Sequence, residues 1–465
     1  MIQTSAIFLF LNYCLGKKVD MSMVVAKIDW RQLYNFASRQ ALLGFCFDGI
    51  ERLTKEFSEE LKQNPMGRDL LMTWMGSAQQ IRRQNMKVNA VASKLYSMLR
   101  EDGLRCCILK GQGNALMYPN PYSRTPGDID VWVNASREDI TEYAKTHFEI
   151  GDDIRFHHLE TSFDGVPVEL HFFPGIMNNP IYNARLQKWF KRNVDLQCSN
   201  VVSLPDGIGE IAIPTTAFNV VYQLTHLYHH FFDEGIGMRQ IIDYYYVVCD
   251  FYKVYQNSSK ITPSLFTLKE GDFSNHPVPL SKEGSTFSPS PSSSGRGDVT
   301  APSRCSEPLR SKDGGPSKVS PDCAGWDRLS IEGDNSAGSI DTSASGSSAS
   351  TALDVVQREL KHLGLWKFAG AVMYVLHETL GLTEEKLIAP IDEKRGKLLL
   401  AEILNGGNFG QHFTKYGHFT QQGMAKKYFL KIWRNMHFVR YYPAEALSEP
   451  IFRTWHFFWR MKNKK

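Results

Sequence analysis

Asp128 and Asp130 stand two residues apart on a stretch whose other members, Ile129, Val131 and Val133, are apolar. Side chains on a strand alternate faces with a period of two, so both carboxylates point one way and the three apolar groups the other, into a core. Two like charges side by side repel, and lower stability unless a cation or a proton resolves them. A strand that accepts this cost on an otherwise apolar background points to a divalent metal.

The neighbouring sequence supplies the rest of a candidate site. A Lys110-Gly111-Gln112-Gly113 turn precedes the pair, and Glu169 follows it in the strand-like run Val166–Phe172. A glycine turn after a strand lets backbone N–H groups approach a phosphate with no Cβ in the way, which singles out Gly111 and Gly113. Lys110 and Arg124 add cationic contacts for a triphosphate, Arg124 through a bidentate fork and Lys110 as a point charge. Asp128 and Asp130 are candidate ligands for Mg²⁺ (or Mn²⁺), which prefers oxygen and keeps substrate phosphates in its shell. Glu169 shares its strand face with His171. As a third carboxylate it would complete a two-metal site and help deprotonate an acceptor hydroxyl. Taken singly, each piece has a plainer reading: a turn, a solvated strand end, an exposed glutamate. The joint arrangement, with residues 114–127 as a short connection, carries the functional one.

The flanking segments read as helices. Asp29 is a plausible N-cap before Trp30, Leu33, Phe36 and Ala37. The proline-free run Arg68–Arg100 keeps Leu71, Trp74, Met75, Ala78 and Ile81 on one stripe, and Gly103 ends it. Strands are expected at Arg105–Leu109 and Asp128–Val133, and a helix at Ser136–His147. Two further strands, Phe156–Phe163 and Val166–Phe172, flank the hairpin signal Asp164-Gly165. Helical periodicity returns at Thr215–Phe232, at Gly237–Tyr252 and from Leu353 onward. The Ser-, Gly- and Pro-rich stretch 256–352 cannot bury enough apolar surface to offset chain entropy and reads as a disordered insertion. The organisation expected is a disordered leader over 1–22, a helical segment over 23–101 and a sheet-bearing core over 102–200. A helical segment over 201–255, the insertion and a helical segment over 353–465 follow.

Composition limits the remaining possibilities. With 42% hydrophobic and 22% charged residues, the 465-residue chain is ordinary for a soluble globular protein. A formal charge of +4 is too small to argue for a nucleic-acid partner. The eight cysteines, at 14, 46, 106, 107, 198, 249, 305 and 323, show no C-x-x-C pair, which fits a reducing, cytoplasmic setting. The apolar run Ala6–Leu11 is too short to span a bilayer, so no stable membrane anchor is expected; Met21 or Met23 are alternative starts.

Two further features have competing readings. His226, His229, His230 and Asp233 share a helical face as metal ligands could, yet the interleaved aromatics favour a packed helix whose histidines line a cleft wall. Arg239 and Asp243, four residues apart, could pair. The tail Met424–Lys465 has ten Lys/Arg against two Glu, with aromatics interleaved. It could bind RNA or a membrane surface, although an amphipathic helix with its aromatics in the core is the commoner outcome.

The stretch Ile108-Leu109-Lys110-Gly111, Arg124, Asp128-Ile129-Asp130-Val131-Trp132-Val133 and Val168-Glu169-Leu170-His171 resembles the uncharacterised bacterial nucleotidyltransferase family. That family is a branch of the DNA polymerase beta-like nucleotidyltransferase superfamily. The resemblance runs weakly into Gly237-Met238-Arg239 with Asp243, and into Tyr441-Tyr442-Pro443. It implies an α+β fold: a small mixed sheet embedded in N- and C-terminal helices. It also implies transfer of a nucleoside monophosphate from an NTP to an acceptor by three carboxylates and two Mg²⁺ ions. By position, Asp128 and Asp130 match the metal-binding pair and Glu169 the third carboxylate. One departure is specific: where the wider superfamily has Gly-Ser in the turn, this chain has Gly111-Gln112 and lacks the hydroxyl that holds the triphosphate. The function expected is Mg²⁺-dependent nucleotidyl transfer to an unidentified acceptor, whether small molecule, protein or nucleic acid. The alternatives are a nucleotide-binding regulator without turnover and a nucleic-acid or membrane-surface adaptor working through the tail.

Overall fold

The alternating run around Asp130 forms a central strand in the computed structural model, which describes residues 2–256, 351–413 and 424–463. Five strands make one mixed sheet: β1 Cys106–Leu109, β2 Ile129–Val133, β3 Glu149–Ile154, β4 His158–Phe163 and β5 Val166–His171. Their order is β1-β2-β5-β4-β3. Only β2 and β5 run parallel; the other neighbours are antiparallel. The β4–β5 hairpin turns on two residues, Asp164 (φ 48°) and Gly165 (φ 68°). Left-handed torsions at both positions match the twist of the strands they join, and Asp-Gly supplies them at low cost.

The sheet separates two apolar layers, because each strand sends alternate residues to opposite sides. Ile129, Val131 and Val133 join Ile108, Leu159, Val168 and Leu170 in one core, closed by the helices Arg68–Glu101 and Arg137–His147. Leu109 and Trp132 point the other way, into the larger core built by the flanking helices. There Trp189 of the helix Pro180–Ser199 stacks on Phe218 of the helix Thr216–Asp233 with ring centroids 4.4 Å apart. All of β2 is buried. Asp130 therefore sits beneath helices, and the sheet and the histidine-bearing helix Thr216–Asp233 form the two walls of one region.

Several expectations are corrected. The leader is not disordered: Ile2–Cys14 is a helix against the helices Leu43–Glu56 and Trp366–Leu380. Its Phe10 and Leu11 are fully buried, and Asn12 donates to the Thr379 carbonyl at 2.9 Å. A short apolar run that cannot span a bilayer can still cap a core. On the helix Arg68–Glu101 the buried face includes Leu70, Trp74, Ala78, Val88, Ala92 and Leu95, whereas Leu71 and Met75 are exposed. The core region also contains the helix Pro180–Ser199, and the hairpin β6 Val201–Ser203 with β7 Glu210–Ala212 opens the segment expected to be helical. The expected insertion lies, from 257 to 350, outside the described residues.

The tail forms the helices Met424–Met436 and Pro443–Asn463. Phe438 and Tyr442 are core residues, but Phe429, Trp433, Trp455, Phe457 and Phe458 are exposed, so only part of the aromatic set is buried. Both glutamates, Glu445 and Glu449, are buried. Among the described residues no helix is long and apolar enough to cross a membrane, and the cysteines there are unpaired.

Candidate active site

Chain direction and register bring the candidate residues together. Leu109 pairs with Asp130 across β1–β2, and Asp130 pairs directly with Glu169 across β2–β5. Lys110, just beyond β1, adopts φ 50° and ψ −127°. A non-glycine residue takes such torsions at a cost of about 1 kcal/mol or more. The strained turn brings its Nζ to 2.8 Å from Asp130 and 3.4 Å from His226 Nε2.

His171 Nε2 lies between the two carboxylates, 2.9 Å from Asp130 Oδ1 and 3.1 Å from Glu169 Oε2. The His171 Nδ1 side is fixed by the Phe173 carbonyl at 3.2 Å. Burial disfavours the imidazolium, but hydrogen bonds to Asp130 and Glu169 push the His171 pKa up to about 9. Burial likewise works against the Asp130 carboxylate, yet Lys110 and His171 hold it ionised well below the usual range. Glu169 is also lowered; burial is outweighed there by the hydrogen bond from His171. Two protein cations thus balance the buried Asp130 and the half-buried Glu169.

Asp128 differs. It precedes β2, stands exposed, and has its pKa raised chiefly by the Asp130 charge. Solvent tempers that repulsion.

The turn itself is a short helix, Gly111–Ala115. Gly111 abuts the Asp128 carbonyl. A Cβ on Gly113 would meet Ile213 Cγ2 at 3.0 Å, so this glycine serves close packing beyond β7. Gln112 is buried and donates to Asn89. Arg124 is buried in a bidentate pair with Asp243, both bonds 2.8 Å, with Tyr118 Oη donating to the same carboxylate at 2.7 Å. Its fork is directed at helix Met238–Gln256 rather than at the three carboxylates. The expected Arg239–Asp243 pair is replaced by this one; Arg239 instead donates to the Thr125 carbonyl at 3.0 Å beside Gly127, and its buried Nε makes no hydrogen bond among the described residues.

Three residues near the site drew no notice in the sequence: His157, His158 and Glu160. Glu160 pairs across the hairpin with Glu169, and His158 with His171. The two-residue Asp164-Gly165 turn contained that signal, because it fixes every cross-strand partner. On the facing wall, His226, His229 and His230 are half-buried; burial lowers their pKa values, with His229 down to about 4 and His230 to about 3. Asp233 turns away and pairs with Lys431 at 3.0 Å and Arg453 at 2.8 Å.

The donor set suits a divalent cation. Asp130, Glu169 and His171 each place a ligand atom within 4.8 Å of the others. Asp128 is outside that set of three.

A strand, a glycine turn and carboxylates on adjacent strands of a small mixed sheet are the features of a nucleotidyltransferase-like core. Residues 26–255 match the profile of a family described as uncharacterised nucleotidyltransferase, and this region belongs to that nucleotidyltransferase family. The match says nothing of a bacterial origin. Among solved structures the chain is similar to an antigenic nucleotidyltransferase-like protein from Paracoccidioides brasiliensis, at 14% identity over 38% of this chain and 95% of that one. The TM-score is 0.22, and a superposition this loose carries no argument. No curated protein matches the chain.

Proposed function

We propose that this protein transfers a nucleoside monophosphate from an NTP to an acceptor hydroxyl, in a cytoplasmic setting. The observation that carries the reading is the direct cross-strand pairing of Asp130 with Glu169. A divalent cation, Mg²⁺ or Mn²⁺, held by Asp128, Asp130 and Glu169 would neutralise charge developing on the transferred phosphate.

The protein's own groups have separate tasks. Lys110 and His171 keep Asp130 and Glu169 ionised and oriented before any ligand arrives. Glu169 accepts the acceptor's proton as its oxygen bonds to the α-phosphorus, and the bond to the β-phosphate oxygen breaks to release pyrophosphate. Gly111 offers backbone next to Asp128 for the donor phosphates. Arg124, through Asp243, holds the segment leading into Asp128. Arg239, beside Gly127 and with its Nε–H unpartnered among the described residues, supplies a cation for the triphosphate. The acceptor is a small molecule, a protein or a nucleic acid.

Asp128→Asn removes a ligand at the exposed mouth, so it should abolish transfer of label from α-labelled NTP while leaving the thermal unfolding curve unchanged. Full activity in that variant would exclude the mechanism.

A second reading rests on Gln112. It occupies the place of the superfamily's serine, and its side chain is turned into the protein toward Asn89. This favours a regulator that binds nucleotide without turnover. NTP binding without pyrophosphate release would identify it.

A further inference from the structure

Buried imidazoles ordinarily have both ring nitrogens engaged. His158 is only 3% exposed, and neither of its nitrogens makes a hydrogen bond among the described residues. The nearest carboxylate oxygens, Glu169 Oε2 at 3.3 Å from Nδ1 and Glu160 Oε1 at 3.7 Å from Nε2, lie off hydrogen-bonding geometry. Nδ1 of the adjacent His157 is also buried without a hydrogen-bond partner among the described residues. Each idle buried polar atom costs about 1–3 kcal/mol, and a missing ion is a standard way to remove that cost.

These nitrogens converge. His157, His158 and His171 each offer a ligand atom, all within 4.8 Å of one another. His171 has its Nδ1 side on the Phe173 carbonyl, and its Nε2, which bonds Asp130 and Glu169, would exchange those hydrogen bonds for the metal. Anchoring one imidazole nitrogen on a carbonyl so that the other can ligate is the usual outer-shell arrangement of a metal-bound histidine. Glu169 Oε2 lies against both His158 and His171. Of the guanidiniums nearby, Arg155 has its Nε on Glu160 at 3.0 Å and Arg137 donates to the Phe156 carbonyl.

We infer that His157, His158 and His171, with Glu169 as the anionic member, bind a borderline divalent transition metal of the Zn²⁺ class. The chemistry of the donors makes the assignment. Three imidazoles and one carboxylate suit Zn²⁺ or Co²⁺, whereas Mg²⁺ takes oxygen ligands. Tetrahedral bonds of about 2.1 Å place ligand atoms about 3.4 Å apart, so the three imidazoles close by about an ångström, and Glu169 swings in from its place against His158 and His171. The site adjoins the Asp128–Asp130 mouth and shares Glu169 with it. It does not depend on nucleotidyl transfer, because binding can be read with no nucleotide present.

The test uses the whole protein, stripped with a chelator and titrated with Co²⁺ in excess Mg²⁺. One equivalent of Co²⁺ should develop visible absorption of a nitrogen-rich, low-symmetry centre, and Zn²⁺ should displace it. His158→Gln and His157→Gln should each weaken Zn²⁺ binding by about 10-fold or more, while Asp128→Asn keeps full Zn²⁺ affinity even as it removes transfer. Wild-type protein without the Co²⁺ bands, or with Co²⁺ readily displaced by Mg²⁺, overturns the site. So do folded histidine variants that bind Zn²⁺ as tightly as wild type. If transfer is absent but the Co²⁺ spectrum is present, the nucleotidyl reading fails and this one stands.

Discussion

Arg124 and Asp243 show how a single pair can decide whether a site is held. Both are buried, at 5% and 6% side-chain exposure, so the pair's worth lies mainly in what happens when one member is lost. Asp243→Ala leaves a guanidinium buried without its anion, beside the equally buried Arg239. The expected loss is about 3–5 kcal/mol, read as a fall in urea midpoint at constant slope. A change within experimental error would show that Arg124 finds another partner. Glu445 provides a pH signature. Burial pushes its pKa up to about 7, against two backbone N–H groups, of Asn178 and Asn179, that favour the ionised form. The folded protein therefore holds this proton more tightly than the unfolded chain. The stabilisation is complete below the unfolded value of 4.5 and fades as pH rises through about 7. Glu445→Gln should flatten a slope worth on the order of 3 kcal/mol across that window, measured as unfolding free energy against pH. An unchanged pH profile would assign the slope to other groups.

At the scale of elements, the β4–β5 hairpin fixes the composition of the site. Its two-residue turn pairs Phe163 with Val166, and thereby Glu160 with Glu169 and His158 with His171. Gly165 at φ 68° is the position where a side chain is strained. A Cβ there would meet only the flexible end of Lys87, so the cost is torsional rather than steric. Gly165→Ala should destabilise by about 1 kcal/mol, visible in the urea midpoint. No loss at all would mean the turn has shifted type. The alternation of Asp128 to Val133 and the Asp-Gly signal were legible because both are local, set by strand period and turn torsions. The direct facing of Asp130 and Glu169 was not legible: parity groups residues only within a strand, Glu169 with His171, and that β5 lies beside β2 and parallel to it is a matter of sheet order. The burial stripe of the helix Arg68–Glu101 was misread by about one residue, with Leu71 and Met75 outside and Leu70 inside. Both readings fit a 3.6-residue period, and only the position of the sheet chooses between them.

At the scale of the molecule, the first helix ties the N-terminal residues to a segment more than three hundred and sixty positions away. Asn12 meets the Thr379 carbonyl, and Lys17 donates to the Gly381 carbonyl at 2.7 Å. Phe10, fully buried, packs against Gly49 of the helix Leu43–Glu56. Phe10→Ala should cost about 3–5 kcal/mol by the loss of transfer free energy and the cavity left behind. Thermal or chemical unfolding of that variant is the measurement, and a cost below about 1 kcal/mol would mean the helix is dispensable.

The sequence by itself determined the local grammar of this protein. Most of its helices and strands, the alternation of the central strand and the hairpin turn rest on short-range periodicity and steric limits, and the nucleotidyltransferase resemblance rests on the motif residues themselves. The tertiary structure alone decided which charges meet. Lys110 and His171 lie on Asp130, Arg124 lies on Asp243, and His157 and His158 reach the carboxylates only because sheet order and helix packing place distant residues within a few ångströms. Short-range patterns record which way a side chain points. They do not record what stands opposite it, and charge and metal chemistry depend on that.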